Sequence, residues 1–282
     1  MRYAIPLFLA GLLCLSPRGL AQSGEEGMVK PINLDKLNTE DNEDDPFITV
    51  DGLTLYYAAK GADTYGIYVS KRGSANAAFP AGKAFMTSKD YDQRSPLVHN
   101  GIFYYASNEV PDPSLIKEKN FDIFKKMGMQ APIPVLGVSE RTDELFPWIT
   151  PAGKEFYFSR RTEDGWTLFT ANGPTPGPIG KARSVGFPAG FRHATLTKDA
   201  LTLYLQGRLD DGRSGLFRSK RAKVGGEWSK PEALTVLNDK EGPRGDMSPC
   251  LSADGTKLYS ASDRPGGKGG LDIWYVATKE LK

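Results

Sequence analysis

The sequence predicts an all-β protein, a five-bladed β-propeller of four-stranded antiparallel blades. Three observations predict this fold: a repeat that occurs five times, a hairpin turn at the same place in every repeat, and two similar segments where the ring would have to close. Because a period of this length is typical of repeat architectures, the repeat decides the fold class before any single residue does.

Each repeat has an anchor inside a short apolar run, and the anchors are Pro46, Pro96, Pro147, Ala194 and Pro249. Consecutive anchors are 47 to 55 residues apart. The turns that follow are Asp51-Gly52, Asn100-Gly101, Ala152-Gly153, Asp199-Ala200 and Asp254-Gly255. Asp-Gly and Asn-Gly favour two-residue hairpins because both residues tolerate positive φ. We therefore expect two antiparallel strands around each turn.

A tyrosine recurs after every turn, and the five are Tyr56, Tyr104, Tyr157, Tyr204 and Tyr259. A third short strand is expected around Ile67, Ile123, Leu168, Leu216 and Ile273. A fourth strand precedes the next anchor, as at Lys83–Met86. Four short strands of this kind make one propeller blade. One blade cannot bury both of its faces, so the repeats must pack against each other in a ring.

Ring closure is predicted from the two ends of the repeat array. The last repeat ends soon after its third strand, whereas Lys30–Asn38 before the first repeat is similar to Lys230–Asn238 before the fifth. We therefore expect the N-terminal segment to supply the outer strand of the last blade. This arrangement also covers a sheet edge that would otherwise be open to pairing with another chain.

The segment Ser252–Thr278 combines an Asp-Gly turn, an aromatic strand, a Ser-x-Arg sequence, a glycine loop and an Asp-Ile-aromatic strand. It resembles the repeat of the bacterial WD40-like (PD40, TolB-type) β-propeller family. The other repeats match more loosely, since Asn100, Ala152 and Ala200 replace parts of the Asp-Gly pair. The resemblance implies a propeller of the bacterial envelope with protein partners. It says little about function, because one fold hosts many activities.

The first 21 residues are predicted to be a secretory signal peptide, and residues 22–282 one propeller domain. Arg2, an apolar run and a small residue at Ala21 give the expected charge, core and cleavage site. A lipoprotein signal at Cys14 is the weaker alternative, because Leu12-Leu13 stand where a small residue is expected. The mature protein is therefore expected to be a periplasmic or secreted monomer. Its one cysteine, Cys250, is expected to be buried and unreactive.

Composition and motifs exclude several functions. The net charge of +2 gives no field for nucleic acid, and the apolar run near the N-terminus is too short to span a membrane. The chain lacks a P-loop and a G-x-S-x-G sequence, and it has only two histidines. No catalytic residue is therefore predicted.

Charged residues at or near the starts of the inner strands are the predicted channel-mouth site: Asp45, Arg94, Glu144, Arg192 and Asp246. Their charges alternate, which indicates either salt bridges across the channel entrance or a polar ligand site. Ring closure would make Asp45 and Asp246 neighbours. Two like charges would then have raised pKa values or would share calcium or another cation, with Asp44 and Asp143 as further oxygen ligands. No other cofactor is expected.

Two further positions are candidates for contacts with a partner. Trp166 follows Asp164-Gly165 in a turn, and Leu115 and Ile116 lie in an insertion that interrupts the second repeat. The leading hypothesis is a non-catalytic binding or scaffold protein that takes an envelope protein or peptide. The alternative is a carbohydrate-binding or glycan-hydrolysing propeller, since two carboxylates about 5 to 10 Å apart are what glycoside hydrolysis requires.

Overall fold

The computed structural model of the chain describes Met1 and residues 29–109, 120–174, 178–238 and 241–281. The predicted signal peptide, apart from Met1, lies outside the described residues. So do Leu115 and Ile116, whose predicted role in binding stays a prediction.

The prediction of a five-bladed β-propeller is confirmed, because the strands form five four-stranded antiparallel sheets. The first blade contains β2 (Glu43–Ile48), β3 (Thr54–Lys60), β4 (Tyr65–Lys71) and β5 (Lys83–Met86). The second contains β6 (Gln93–His99), β7 (Ile102–Ser107), β8 (Asp122–Met127) and β9 (Ile133–Pro134). The third contains β10 (Glu144–Ile149), β11 (Glu155–Thr162), β12 (Gly165–Asn172) and β13 (Arg183–Ser184).

The fourth blade contains β14 (Arg192–Leu196), β15 (Thr202–Arg208), β16 (Ser214–Lys220) and β17 (Glu232–Ala233). The fifth contains β18 (Asp246–Leu251), β19 (Lys257–Ser262), β20 (Asp272–Ala277) and β1 (Ile32–Asn33). A 3-10 turn, Thr278–Glu280, follows β20. None of the helices among the described residues has the length and apolarity needed to cross a membrane.

Each inner strand carries a β-bulge next to its anchor. The residue just before the anchor has a φ of 50° to 58°, and these residues are Asp45, Ser95, Phe146, His193 and Ser248. A positive φ is costly for a residue with a Cβ, so its fivefold recurrence shows that the ring imposes it. The bulge re-aims the side chains that follow, as bulges in other sheets do.

The N-terminal segment closes the ring as predicted. Strand β1 pairs antiparallel with β20, and Ile32 lies opposite Tyr275. The Asn38 side chain fixes this segment, since its Nδ2 donates to the Ile273 carbonyl and its Oδ1 accepts from the Ile273 amide, both at 2.9 Å. Asn238 makes the same pair of hydrogen bonds with Leu216 in the fourth blade. The similarity of the two sequence segments is therefore a similarity of structure.

Apolar side chains between the blades form the core. Tyr104, Tyr157 and Tyr259, three of the five recurring tyrosines, are among the largest fully buried side chains. Their rings occupy the interfaces between blades, which explains why an aromatic residue recurs at that place in the repeat. Cys250 is also buried, as expected, and burial raises the pKa of its thiol to about 12.

Candidate functional site

The five residues predicted at the channel mouth occupy three different positions of the repeat. Asp45 is a bulge residue, whereas Arg94 and Arg192 come one residue before their bulges. Glu144 and Asp246 come one residue earlier still. Because successive side chains of a strand point to opposite faces, these five residues do not form a single ring of alternating charge.

Two aspartates of the first blade share one arginine of the second. Arg94 donates from Nη2 to Asp44 at 2.7 Å and from Nε to Asp45 at 3.1 Å. The Asp44 and Asp45 side chains are 7% and 1% exposed. The Arg94 guanidinium also lies 4.3 Å from the Tyr65 ring centroid. This cluster therefore joins the inner strands of two neighbouring blades.

Hydroxyl groups from other blades complete the environment of the two carboxylates. Ser248 Oγ donates to Asp44 at 2.6 Å, and Ser95 donates to Asp45 from both its amide and its hydroxyl. Burial raises the pKa of Asp45 to about 6, partly offset by Arg94. The pKa of Asp44 is lowered, because Arg94 and the Ser248 hydrogen bond outweigh the effect of burial. Near neutral pH, Asp44 is therefore ionised more completely than Asp45.

The fourth blade brings an arginine and a histidine to the same region. Burial lowers the pKa of His193 to about 3, so its contact of 3.9 Å with Asp45 is not an ion pair near neutral pH. Its ring stacks on Phe146 with centroids 4.2 Å apart. Arg192 Nε and His193 Nδ1 are buried without a hydrogen-bond partner. They are the unsatisfied polar atoms of this cluster.

Trp166 lies at the edge of this cluster and is half-buried rather than fully exposed. Its ring packs near Phe146, with centroids 6.1 Å apart, and the Arg192 guanidinium lies 5.9 Å from its centroid. The structure therefore brings Trp166 together with Arg192, one of the other predicted site residues. A ligand contact by Trp166 or Arg192 stays a prediction.

Glu144 and Asp246 are each paired with an arginine of their own blade. Arg160 donates from Nε to Glu144 at 3.0 Å, and Arg264 donates from Nη2 to Asp246. Both carboxylates are 0% exposed. Burial raises the pKa of Glu144 to about 7, although Arg160 and a hydrogen bond from the Glu140 amide act against the shift. Each of these two pairs therefore connects residues of the same blade.

A shared cation at Asp45 and Asp246 stays a prediction. In the described part of the chain, no group of three or more histidine, cysteine, aspartate or glutamate side chains is placed to hold a metal ion. Asp45 and Asp246 are paired with different arginines, Arg94 and Arg264. Each of the two aspartates therefore has an arginine as a counter-charge.

The channel is narrow at the level of the bulges and wide at one end. A cavity of about 10 Å³ lies among the bulge residues of four blades, which is room for about one water molecule. At the hairpin ends of the inner strands, a funnel of about 370 Å³ has mainly apolar walls, including Leu97, Trp148 and Leu251. Val50 at its rim is 84% exposed. We call this cavity the apolar funnel.

Sequence reasoning missed the residues that share the bulge position with Asp45. Ser95, His193 and Ser248 would have been found by reading the residue immediately before each anchor, because that position is equivalent in every repeat. The partners Arg160 and Arg264 carry no shared signal, because Arg160 lies inside β11 whereas Arg264 follows the end of β19 by two residues. Selection by charge alone mixed non-equivalent positions.

No family model and no curated protein matches the chain. Solved structures are similar to it at low sequence identity. An exo-1,5-α-L-arabinanase from a bovine ruminal metagenomic library is 11% identical with a TM-score of 0.56, covering 85% of this chain and 94% of that one. The α-L-arabinofuranosidase of Podospora anserina, in complex with cellotriose, is 11% identical with a TM-score of 0.54, covering 89% and 94%.

TolB from Acinetobacter baumannii is 14% identical with a TM-score of 0.53, and the match covers 84% of this chain and 54% of TolB. At such identities the likeness shows the fold alone. The fold and the site together define a five-bladed β-propeller whose inner strands carry buried arginine–carboxylate pairs. The TolB likeness supports the resemblance in its coarser form, a propeller of TolB-like architecture.

Proposed function

We propose that the protein is an exported, non-catalytic binding propeller of the bacterial envelope with a protein or peptide partner. The observation that carries the proposal is that the three carboxylates among the five predicted channel-mouth residues, Asp45, Glu144 and Asp246, are buried and each engaged by an arginine. Such carboxylates have a structural role, because the hydrogen bonds from the arginine fix their geometry and occupy oxygens that a substrate would need.

Hydrolysis of a glycosidic bond makes different demands. It requires two carboxyl groups that reach the substrate from opposite sides, with room for a sugar between them. Asp45 and Glu144 are 1% and 0% exposed, and the cavity among the bulge residues measures about 10 Å³. A sugar ring does not fit such a space, which favours a binding role over hydrolysis.

The apolar funnel supports a polypeptide partner. At protein interfaces, a few aromatic or aliphatic side chains of one partner are typically buried in pockets of the other. The funnel has mainly apolar walls, and its polar side chains are those of His99, Asn100, Lys198 and Ser252. An aliphatic or aromatic side chain of a partner would bury its own surface there together with that of Val50.

The second candidate function is glycan binding or hydrolysis, and one observation favours it. Burial raises the pKa of Glu144 to about 7 and that of Asp45 to about 6, and a carboxyl group that is protonated near neutral pH suits a general acid. Fold neighbours include an arabinofuranosidase and an arabinanase. The inaccessibility of both groups weighs against this candidate.

The test is a pull-down from envelope extract with the chain from Gln22 onwards, followed by titration of the purified captured protein. Val50→Asp changes the apolar funnel, and Arg192→Gln changes the channel mouth. Val224→Asp is the matched control, since Val224 is 52% exposed and does not line the funnel. We expect a partner whose affinity falls with Val50→Asp or Arg192→Gln and not with Val224→Asp.

Two results would overturn the proposal. One is equal capture of the same proteins by wild type and both site variants. The other is hydrolysis of arabino-oligosaccharides by the wild type that is lost in Glu144→Gln, since this would establish the enzymatic alternative.

A further inference from the structure

Two surface cavities lie at equivalent junctions of the ring, one between the third and fourth blades and one between the fifth and first. Their walls correspond residue by residue through the strand register: Glu155 to Lys257, Tyr157 to Tyr259, Thr170 to Tyr275, Arg183 to Ile32, Arg221 to Arg72 and Trp228 to Phe79. We call them the 3/4 cavity and the 5/1 cavity. The fold therefore provides an internal comparison between the two.

Both cavities present an arginine in the same way. In each case the third strand ends on Ser-Lys and the arginine follows directly, and the serine hydroxyl donates to a carbonyl ten residues later at 2.6 Å. Arg72 and Arg221 each donate from Nε to a hairpin carbonyl of their own blade at 2.8 Å. Each guanidinium also lies over an aromatic ring, at 4.3 Å for Phe79 and 4.4 Å for Trp228.

The 3/4 cavity contains its own carboxylate. Glu155 accepts hydrogen bonds from both terminal nitrogens of Arg221, at 2.6 and 2.8 Å. This is the bidentate geometry in which an arginine binds a carboxylate most strongly. In the 3/4 cavity, Arg221 therefore already has a carboxylate partner from the protein itself.

The 5/1 cavity has no such carboxylate, because Lys257 stands where the other cavity has Glu155. Among the described residues no acidic side chain lies within ion-pair distance of Arg72, whose Nη1 donates to the Ala77 carbonyl at 3.2 Å. Lys36 also lines the cavity, and Asp35 is its one acidic lining residue. Because a lysine stands at the position of Glu155, the 5/1 cavity has a net positive charge where the 3/4 cavity has a neutral arginine–glutamate pair.

The 5/1 cavity is also the larger, about 340 Å³ against about 190 Å³ for the 3/4 cavity. Tyr259 and Tyr275 form part of its wall, and Lys257 Nζ lies 4.8 Å from the Tyr275 ring centroid. The space can take a side chain that enters from outside, and its cations are held in place by aromatic rings.

We infer that the 5/1 cavity binds a carboxylate of a polypeptide partner. Arg72 and Lys257 bind this carboxylate as Arg221 binds Glu155. The occupant is assigned as peptide because the same cradle, in the 3/4 cavity, holds a glutamate side chain. This inference rests on the proposed protein-binding function and adds a second contact point, on the side of the ring, with stated chemistry.

The test is isothermal titration of the chain from Gln22 onwards with acetyl-tetraglutamate amide at low ionic strength. Arg72→Gln removes the bidentate donor, and we expect binding to weaken about tenfold or more, the equivalent of one charge-assisted hydrogen bond. Lys257→Glu places a carboxylate beside Arg72 and should abolish binding. The matched control Lys71→Gln loses the same charge from an exposed side chain outside the cavity and should bind within about twofold of wild type.

Thermal unfolding separates a loss of binding from a loss of folding. Lys257→Glu should unfold at the same temperature as wild type or higher, because it recreates the pair seen in the 3/4 cavity. Absence of binding to the wild type, or equal binding by wild type and Lys257→Glu, would overturn the inference. So would a galacturonate trimer that binds more tightly than the peptide and displaces it.

Failure here is distinguishable from failure of the proposed function. The peptide titration uses purified protein and the 5/1 cavity alone, whereas the pull-down variants change the apolar funnel and the channel mouth. A partner captured through the funnel, with no peptide binding at Arg72, would overturn the inference and leave the proposed function supported.

Discussion

Arg94 Nε lies 3.1 Å from Asp45 Oδ2, and this ion pair joins the inner strands of the first and second blades. The same guanidinium reaches Asp44 at 2.7 Å. One arginine therefore compensates two carboxylates that would otherwise repel each other in a buried place. The pair explains why adjacent aspartates are tolerated in an inner strand.

Replacing Arg94 by alanine is expected to destabilise the folded protein. Arg94→Ala should lower the free energy of unfolding by about 3 to 5 kcal/mol, because it leaves buried charge without a partner. Urea denaturation monitored by tryptophan fluorescence measures the change. Lys181→Ala, at an exposed position, is the control and should have an effect of less than about 0.5 kcal/mol. A similar small effect for Arg94→Ala would show that the pair contributes little.

Stability is expected to fall as the pH rises from mildly acidic to neutral. Burial raises the pKa of Glu144 from an ordinary 4.5 to about 7, with Asp122 adding to the shift and Arg160 opposing it. The folded protein then holds a proton that the unfolded chain releases, so the contribution of Glu144 to stability is complete below pH 4.5 and is lost as the pH passes about 7.

Urea denaturation at a series of pH values checks this expectation. Glu144→Gln cannot ionise, so its free energy of unfolding should change less between pH 4.5 and 7 than that of the wild type. Parallel curves for the two proteins would exclude Glu144 as the titrating group.

The hairpin turn of the fifth blade is expected to need Gly255 for its backbone conformation and not for space. Gly255 has a φ of 71°, and a Cβ there would meet no atom within 4 Å. Gly255→Ala should therefore destabilise the protein by about 1 kcal/mol through backbone strain. Gly73→Ala also has open space but no positive φ, and it should be neutral or stabilising by up to about 1 kcal/mol. Equal effects of the two changes on the urea midpoint would contradict this account.

Ring closure is expected to depend on Asn38. Asn38→Ala removes both hydrogen bonds to Ile273 and leaves its buried amide unpaired, which should cost about 1 to 3 kcal/mol, while the carbonyl keeps the hydrogen bond from the Leu34 amide. Hydrogen exchange of the Ile273 amide should become faster. Asn238→Ala is the matched variant in the fourth blade, and it should speed exchange at Leu216 and not at Ile273. Unchanged exchange at Ile273 in Asn38→Ala would contradict the closing role of Asn38.

Cys250 is expected to be inert in the folded protein. It is buried, and burial raises its thiol pKa to about 12, so almost no thiolate forms near neutral pH. In the chain from Gln22 onwards, iodoacetamide should label the thiol only after unfolding in urea. Rapid labelling of the native protein would show that the inner strand of the fifth blade opens readily.

The amino-acid sequence by itself determined the propeller, the number of blades and the closing strand. These follow from local signals that recur at a fixed period: the anchors, the Asp-Gly and Asn-Gly turns, the tyrosines and the segment that ends at Asn38 or Asn238. Each signal is contained in a segment of about ten residues, so it can be recognised without knowledge of the fold. Burial of Cys250 followed from its place in an inner strand.

Only the tertiary structure decided how the charges are used. Arg94 pairs with Asp45 across a blade boundary, while Glu144 and Asp246 pair inside their own blades, and this depends on the bulge and on which face each side chain takes. The contrast between the 3/4 and 5/1 cavities also needs residues from two blades and from both ends of the chain. A difference of one residue in strand position reverses the direction of a side chain, so charge order along the sequence does not predict charge order in space.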